Sequence, residues 1–182
     1  MSEPYPLFLR LQGRRVLVVG AGSVGARKVA ELLAAGAEVV VVAEQVSAAV
    51  RAHAERITLH ERRFQESDLD GVWLVIAATN DPASNREVAA GAEARRVFVN
   101  AVDDPPSASA YFGAVLRRPP FLVAISSSGE VPALSRLLRE VLESALPPER
   151  WIAEARALRA EWKRDAIPMA DRFPALVRRF LG

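Results

Sequence analysis

Cysteine is absent from the 182 residues, which excludes disulfides, iron–sulfur clusters and thiolate metal sites. Histidine occurs only at His53 and His60, on segments that read as separate elements, so no metal site is expected. Long hydrophobic runs are missing too. The apolar stretches at 16–19 and 39–43 fall far short of the roughly 20 residues that a membrane helix needs, and nothing near Met1 resembles a signal peptide. A cytoplasmic protein without a membrane partner is therefore expected. Neither sign of charge dominates: the net charge is +2, with arginines thickening toward the C-terminal part. Such arginines suit an anionic ligand or a solvated helical surface. No basic run is interleaved with aromatic residues, so no nucleic-acid partner is expected. Repeats and low-complexity tracts are lacking as well.

What is present is 51% apolar residues, enough for one core of ordinary domain size with a smaller appendage. The first half alternates β-branched runs with amphipathic stretches. Strands are predicted at 15–19, 38–42, 57–61, 72–77 and 97–100, and helices at 24–35, 47–54 and 82–95. Gly36 stands where a left-handed helix stop is expected. The pattern predicts an α/β fold, a Rossmann-type doubly wound parallel sheet over residues 1–112.

After Asn100 the alternation ends. Two extended segments, 110–116 and 121–125, are joined by Arg117, Arg118, Pro119 and Pro120. The two prolines argue against a tight two-residue turn, and the segments pair either with each other or with a second chain. A helix follows from Pro132, with Leu134, Leu137, Leu138, Val141, Leu142 and Ala145 on one stripe, and Pro147 and Pro148 end it. Further helices are predicted at 149–163 and 169–180. The division is thus 1–112, 113–146, and a helical region at 147–182.

The strongest motif is Gly20-Ala21-Gly22-Ser23-Val24-Gly25, a G-x-G-x-x-G directly after a buried-looking strand and at the start of a helix. Gly20 permits the turn, Gly22 lets the backbone approach a pyrophosphate, and Gly25 lets the helix pack closely on the sheet. The amides of Ser23 and Val24 and the helix dipole then face the phosphates. Just past the second strand, Glu44, with Gln45 beside it, stands where an acid bonds the ribose hydroxyls, one position from the usual site. No arginine follows it directly, which favours NAD over NADP. Thr79 and Asn80 end the fourth strand, where ligands lie in such sheets. Asn80 and Asp81 before Pro82 equally make an ordinary helix cap.

The chain resembles the precorrin-2 dehydrogenase family, including the N-terminal module of siroheme synthase. The likeness rests on Tyr5-Pro6-Leu7-Phe8, on Val18-Val19-Gly20-Ala21-Gly22-Ser23-Val24 with Arg27-Lys28, and on Leu74-Val75-Ile76-Ala77-Ala78-Thr79-Asn80-Asp81. It continues through Val99-Asn100-Ala101-Val102-Asp103, Ala124-Ile125-Ser126-Ser127-Ser128-Gly129 and Pro132-Ala133-Leu134-Ser135-Arg136-Leu137-Leu138-Arg139-Glu140. The resemblance implies NAD-dependent oxidation of the tetrapyrrole precorrin-2 to sirohydrochlorin, sometimes followed by insertion of Fe2+ to give siroheme. It also implies a homodimer, with 113–146 as the dimerisation segment. The methyltransferase portion of the fused synthases is not in this sequence, so methylation of uroporphyrinogen is expected elsewhere.

The family's key acid matches Asp103, on the loop after the fifth strand, where a carboxylate can accept the proton released when a hydride leaves the substrate. Asp104 is its rival, since the chemistry of adjacent acids does not separate them. Ser126, Ser127 and Ser128 precede a helix and are candidates for holding substrate carboxylates, or one of them simply caps it. Arg117, Arg118 and Arg136 are candidates for the remaining carboxylates. Two other readings share the fingerprint: an NAD(H)-responsive regulatory module without catalysis, and a small-metabolite dehydrogenase. The latter would want a histidine or lysine near the nicotinamide, and His53 and His60 are poorly placed for that.

Overall fold

The computed structural model describes residues 4–102 and 104–181. The chain divides into two compact units: one runs to Phe112 and includes Ser128–Glu130, and the other holds Gly113–Ser127 and the chain from Val131 onward.

In the first unit the strands are β1 (Arg15–Ala21), β2 (Glu38–Val46), β3 (Thr58–His60), β4 (Leu74–Ala77) and β5 (Phe98–Ala101). All pair in parallel, in the order β3-β2-β1-β4-β5. The helices are α1 (Ser23–Ala34), α2 (Ala48–Arg51) and α3 (Pro82–Ala94). This is the doubly wound arrangement expected from the alternation, and the pleat explains the continuous apolar runs of its central strands. Val16, Val18, Val41 and Ile76 join Val29 and Leu32 of α1 and Val50 of α2 on one face. Leu17, Val19, Val42 and Val75 join Val88 and Ala92 of α3 on the other. With both faces dry, each fully buried side chain of this size contributes about 1.5–3 kcal/mol. Gly36, at φ 75°, stops the first helix as expected.

Three of the elements that differ from the predicted bounds do so for identifiable reasons. Strand β2 does not end at residue 42. Val19 pairs with Val42 and Ala21 with Val46, so Ala43, Glu44 and Gln45 bulge opposite Gly20 and the strand resumes beyond them. Helix α2 is shorter than 47–54. Ser47 caps it through the Val50 amide, and a 3-10 turn at Ala54–Arg56 follows. The stretch 110–116 is not one strand. The amides of Ser109 and Ala110 both donate to the Val99 carbonyl at 2.9 Å, and Asn100 Nδ2 donates to the Ala110 carbonyl at 2.8 Å. The open edge of β5 captures the start of the stretch.

The second unit opens with β6 (Ala114–Arg118) and β7 (Phe121–Ile125), antiparallel, with Arg118 opposite Phe121. Its connection is therefore the two residues Pro119 and Pro120, the tight link that the prolines argue against. The peptide bond between them is cis, which is the geometry that admits proline at the third position of a turn. Helices α4 (Pro132–Ala145), α5 (Glu149–Arg164) and α6 (Met169–Leu181) follow. Trp151 stacks on Phe180 at 4.9 Å, and Arg179 pairs with Glu154. The predicted stripe of α4 forms, but Leu134, Leu137, Leu138, Val141 and Leu142 are all exposed. Met169, Phe173, Val177 and Leu181 of α6 are exposed as well. Among the described residues, no helix is long and apolar enough to cross a membrane.

Candidate active site

The site begins at the end of β1. Gly20 holds φ 104°, and a Cβ there would lie 2.3 Å from the Ala78 carbonyl oxygen, while a Cβ on Gly25 would lie 2.2 Å from the Gly20 carbonyl oxygen. No larger residue fits either position, so the turn is pinned between α1 and the end of β4. Gly22 is the opposite case: nothing lies within 4 Å of the place a Cβ would take. Gly22 is also the N-cap of α1, without a side-chain hydrogen bond, and the first turn carries no acid. The amides of Ser23, Val24 and Gly25 thus begin a helix whose positive end has no counter-charge of its own. Helix α3 differs, because Asp81 accepts from the Ala83 amide at 2.9 Å. A bare, uncapped helix start beside an open glycine fits a pyrophosphate.

The bulge of β2 places Glu44 and Gln45 opposite Gly20, on the strand rather than on the loop after it. Both side chains are exposed. Glu44 Oε1 accepts from Arg63 Nε at 3.0 Å. That hydrogen bond, then the Coulombic attraction of Glu44, pushes the Arg63 pKa up, and the field of Asp81 adds to it. No arginine directly follows Glu44 along the chain, but in space Arg63 meets it, arriving from beyond β3. Parallel strands bring together segments that are remote in sequence, so sequence adjacency could not reveal it.

Thr79 and Asn80 stand at the end of β4, over an open cleft of about 700 Å³ lined also by Pro82, Arg86, Asp104 and Ser107. Thr79 is not a free hydroxyl. Asn85 Oδ1 accepts from the Thr79 amide at 3.1 Å and from its hydroxyl at 2.7 Å, and Asn85 Nδ2 donates back to the Thr79 carbonyl. Buried Asn85 therefore clamps the loop between β4 and α3, and sequence reading missed it. Asp81, not Asn80, is the cap of α3. Arg86 was missed too: it lines the cleft, its Nε donates to the Pro82 carbonyl at 3.2 Å, and it forms no ion pair among the described residues. Asp104 accepts from the Ser107 hydroxyl at 2.8 Å in the cleft wall. Asp103 lies outside the described residues.

Ser126, Ser127, Arg117 and Arg136 belong to the second unit, and Ser128 to the first. Val131 is the N-cap of α4 and caps nothing with its side chain, while its amide donates to Ser127 Oγ at 3.3 Å. Ser128 and Gly129 hold φ 52° and 85°. Arg136, a candidate partner for substrate carboxylates, donates its Nε to Glu140 Oε1 at 3.2 Å, one helical turn along. Arg117 is exposed on β6. Among the described residues, no group of three or more His, Asp or Glu could hold a metal ion.

A glycine turn between a buried parallel strand and an uncapped helix, with a cleft beyond the next strands, defines a dinucleotide-binding protein. The chain belongs to the family described as "Putative NAD(P)-binding", whose model matches residues 7–114, and its cofactor is a nicotinamide dinucleotide. It is 48% identical to siroheme synthase 1 of Serratia proteamaculans over 144 residues, 78% of this chain and 30% of that protein. It is 44% identical to siroheme synthase of Citrobacter koseri over 171 residues, 92% of this chain and 37% of that one. The chain thus spans about a third of the length of the curated relatives it matches. Among solved structures it is similar to SirC, precorrin-2 dehydrogenase, with a TM-score of 0.74 and 27% identity over 97% of this chain and 89% of that one.

Proposed function

We propose that the chain is an NAD-dependent dehydrogenase that oxidises precorrin-2 to sirohydrochlorin, acting as a cytoplasmic homodimer. The observation that carries the reading is the cleft beyond the carboxyl ends of β4 and β5, which adjoins the pinned glycine turn where Gly20 packs against the Ala78–Thr79 backbone. The kinship with siroheme synthases and with SirC supplies the substrate.

The oxidation removes a hydride and a proton from a carbon framework that carries many carboxylates. The dinucleotide, when bound, supplies the hydride acceptor, and the remaining work falls to the chain. Gly20, Gly22, Ser23, Val24 and Gly25 hold the pyrophosphate, and Glu44 and Gln45 the adenosine ribose. Asn85 holds Thr79 in place so that Thr79 and Asn80 wall the nicotinamide end of the cleft. Asp103 takes the released proton, and Asp104, engaged with Ser107, shapes the loop. Arg86 gives the cleft a cation for a substrate carboxylate; for the other carboxylates the candidates are Ser126, Ser127, Ser128, Arg117 and Arg136, by the chemistry of their side chains. A dimer is supported by the exposed apolar stripe of α4 and by the exposed Val115, Phe121 and Leu122 of the hairpin, apolar surface that water would otherwise solvate at a cost.

The test is anaerobic turnover of precorrin-2 with NAD, followed by the absorbance of sirohydrochlorin and NADH. Asp103→Asn should lower turnover by about 10²–10⁴-fold with NADH binding retained. Wild-type rates in that variant would remove the acid assignment, and no turnover by the wild type would favour a regulatory module instead. Adding Fe2+ to the product tests metal insertion separately.

A further inference from the structure

Immediately past β3 the chain runs Glu61, Arg62, Arg63, and each of these is held by a different element. Glu61 receives both terminal nitrogens of Arg51, at 2.8 and 2.7 Å. Arg62 grips Asp68 with both of its own, at 2.8 and 2.6 Å. Arg63 is bound at one point only: its Nε meets Glu44, and its two terminal nitrogens make no hydrogen bond among the described residues. Its side chain is 85% exposed and that of Glu44 60% exposed. Two forked ion pairs thus anchor the segment while the third arginine presents an unused fork beside the acid at the ribose position.

An acid there accepts from ribose hydroxyls and repels a phosphate on the same ribose, whereas a guanidinium fork matches a phosphate bidentately. An exposed single-point ion pair is weak and re-forms easily around a new partner. We propose that Arg63 reads the 2′ position of the adenosine ribose, so that this chain accepts NADP(H) as well as NAD(H). Glu44 serves the 2′-hydroxyl, and Arg63 turns its free fork to a 2′-phosphate while still screening the carboxylate. The inference rests on the dinucleotide site but not on the identity of the substrate.

The test is direct binding to the full-length chain, read by the fluorescence of NADH and NADPH and by competition with 5′-ADP and 2′,5′-ADP, with no substrate present. The wild type should bind NADPH within about tenfold of NADH. Arg63→Ala should shift the preference about 10–30-fold away from NADPH, and Glu44→Ala about tenfold toward it. Arg63→Lys keeps the charge without the fork and should fall between wild type and Arg63→Ala. The same Arg63→Ala shift should appear in the ratio of 2′,5′-ADP to 5′-ADP affinity. An unchanged ratio in Arg63→Ala would overturn the proposal, since a purely structural role would move both cofactors equally. So would a wild type that rejects NADPH by a thousandfold while binding NADH normally. A wild type that binds neither would remove the dinucleotide site itself.

Discussion

The two units of this chain bury their apolar residues in opposite ways. In the first, the central strands β1, β2 and β4 are covered on both faces, and most of their valines are nearly inaccessible to water. In the second, Leu116, Ser135 and Ile152 are the buried residues among those described, and the apolar stripes of α4 and α6 face outward. Both show the amphipathic periodicity that marks a core-facing helix, so periodicity says that a face will be covered without saying by what. The first unit completes its core within its own chain. The second presents a surface of the kind that a subunit interface covers.

The sharpest way to break this contrast is at the best-packed point. Gly20→Val places a side chain where the Ala78 carbonyl stands and forces a β-branched residue to φ 104°. It should cost about 3 kcal/mol or more of stability and abolish measurable NADH binding. Thermal unfolding and a fluorescence titration would check both, and near-normal values would mean that the turn is looser than described. In the second unit, Leu137→Glu combined with Val141→Glu should weaken dimerisation by about 100-fold and leave the first unit folded. Light scattering after size exclusion would show monomer, with NADH binding retained by the first unit. A dimer that survives would place the interface elsewhere.

Smaller effects sharpen the comparison through charge. Arg62 binds Asp68 through a fork, and Asp68 also accepts from the Gln65 amide. The Arg62 hydrogen bond outweighs the opposing effect of burial and holds the Asp68 carboxyl below its ordinary value, with the Gln65 amide and the charges of Arg62 and His60 adding to it. A carboxylate depressed in this way stabilises the fold above its unfolded pKa, about 3.9, and the contribution is lost as pH falls through the lower folded value. Asp68→Asn should therefore lower the Tm by roughly 2–6 °C at pH 7, and the difference from wild type should shrink below about pH 4. Arg136→Ala, which breaks an exposed pair on α4, should move the Tm by less than about 2 °C. Equal effects from the two would mean that the segment before β4 is no more firmly held than an exposed helix face.

How much of this was legible beforehand follows the range of the forces involved. The glycine turn was readable because its requirements are local: a left-handed residue, a missing side chain and a helix start, all within six consecutive positions. Spacing singled out Glu44 as a candidate but gave no sign of the bulge that carries it, since a bulge is a property of two strands together. Asn85 and Arg86 gave no signal of their own on α3, where Asn85 reads as one more polar residue and Arg86 as a solvated one. Two prolines in the link argue against a two-residue turn when read as residue types, and only the pairing of Arg118 with Phe121 shows that the link is that short.

By itself, then, the sequence determined the sheet, the covering of its central strands and the glycine turn before α1, because alternating burial and backbone conformation are set residue by residue along the chain. Only the tertiary structure decided that Arg63 stands against Glu44, that Asn85 clamps Thr79, and that the stripe of α4 remains exposed. Those outcomes depend on which remote segments the parallel strands lay side by side, and one-dimensional spacing carries no record of that.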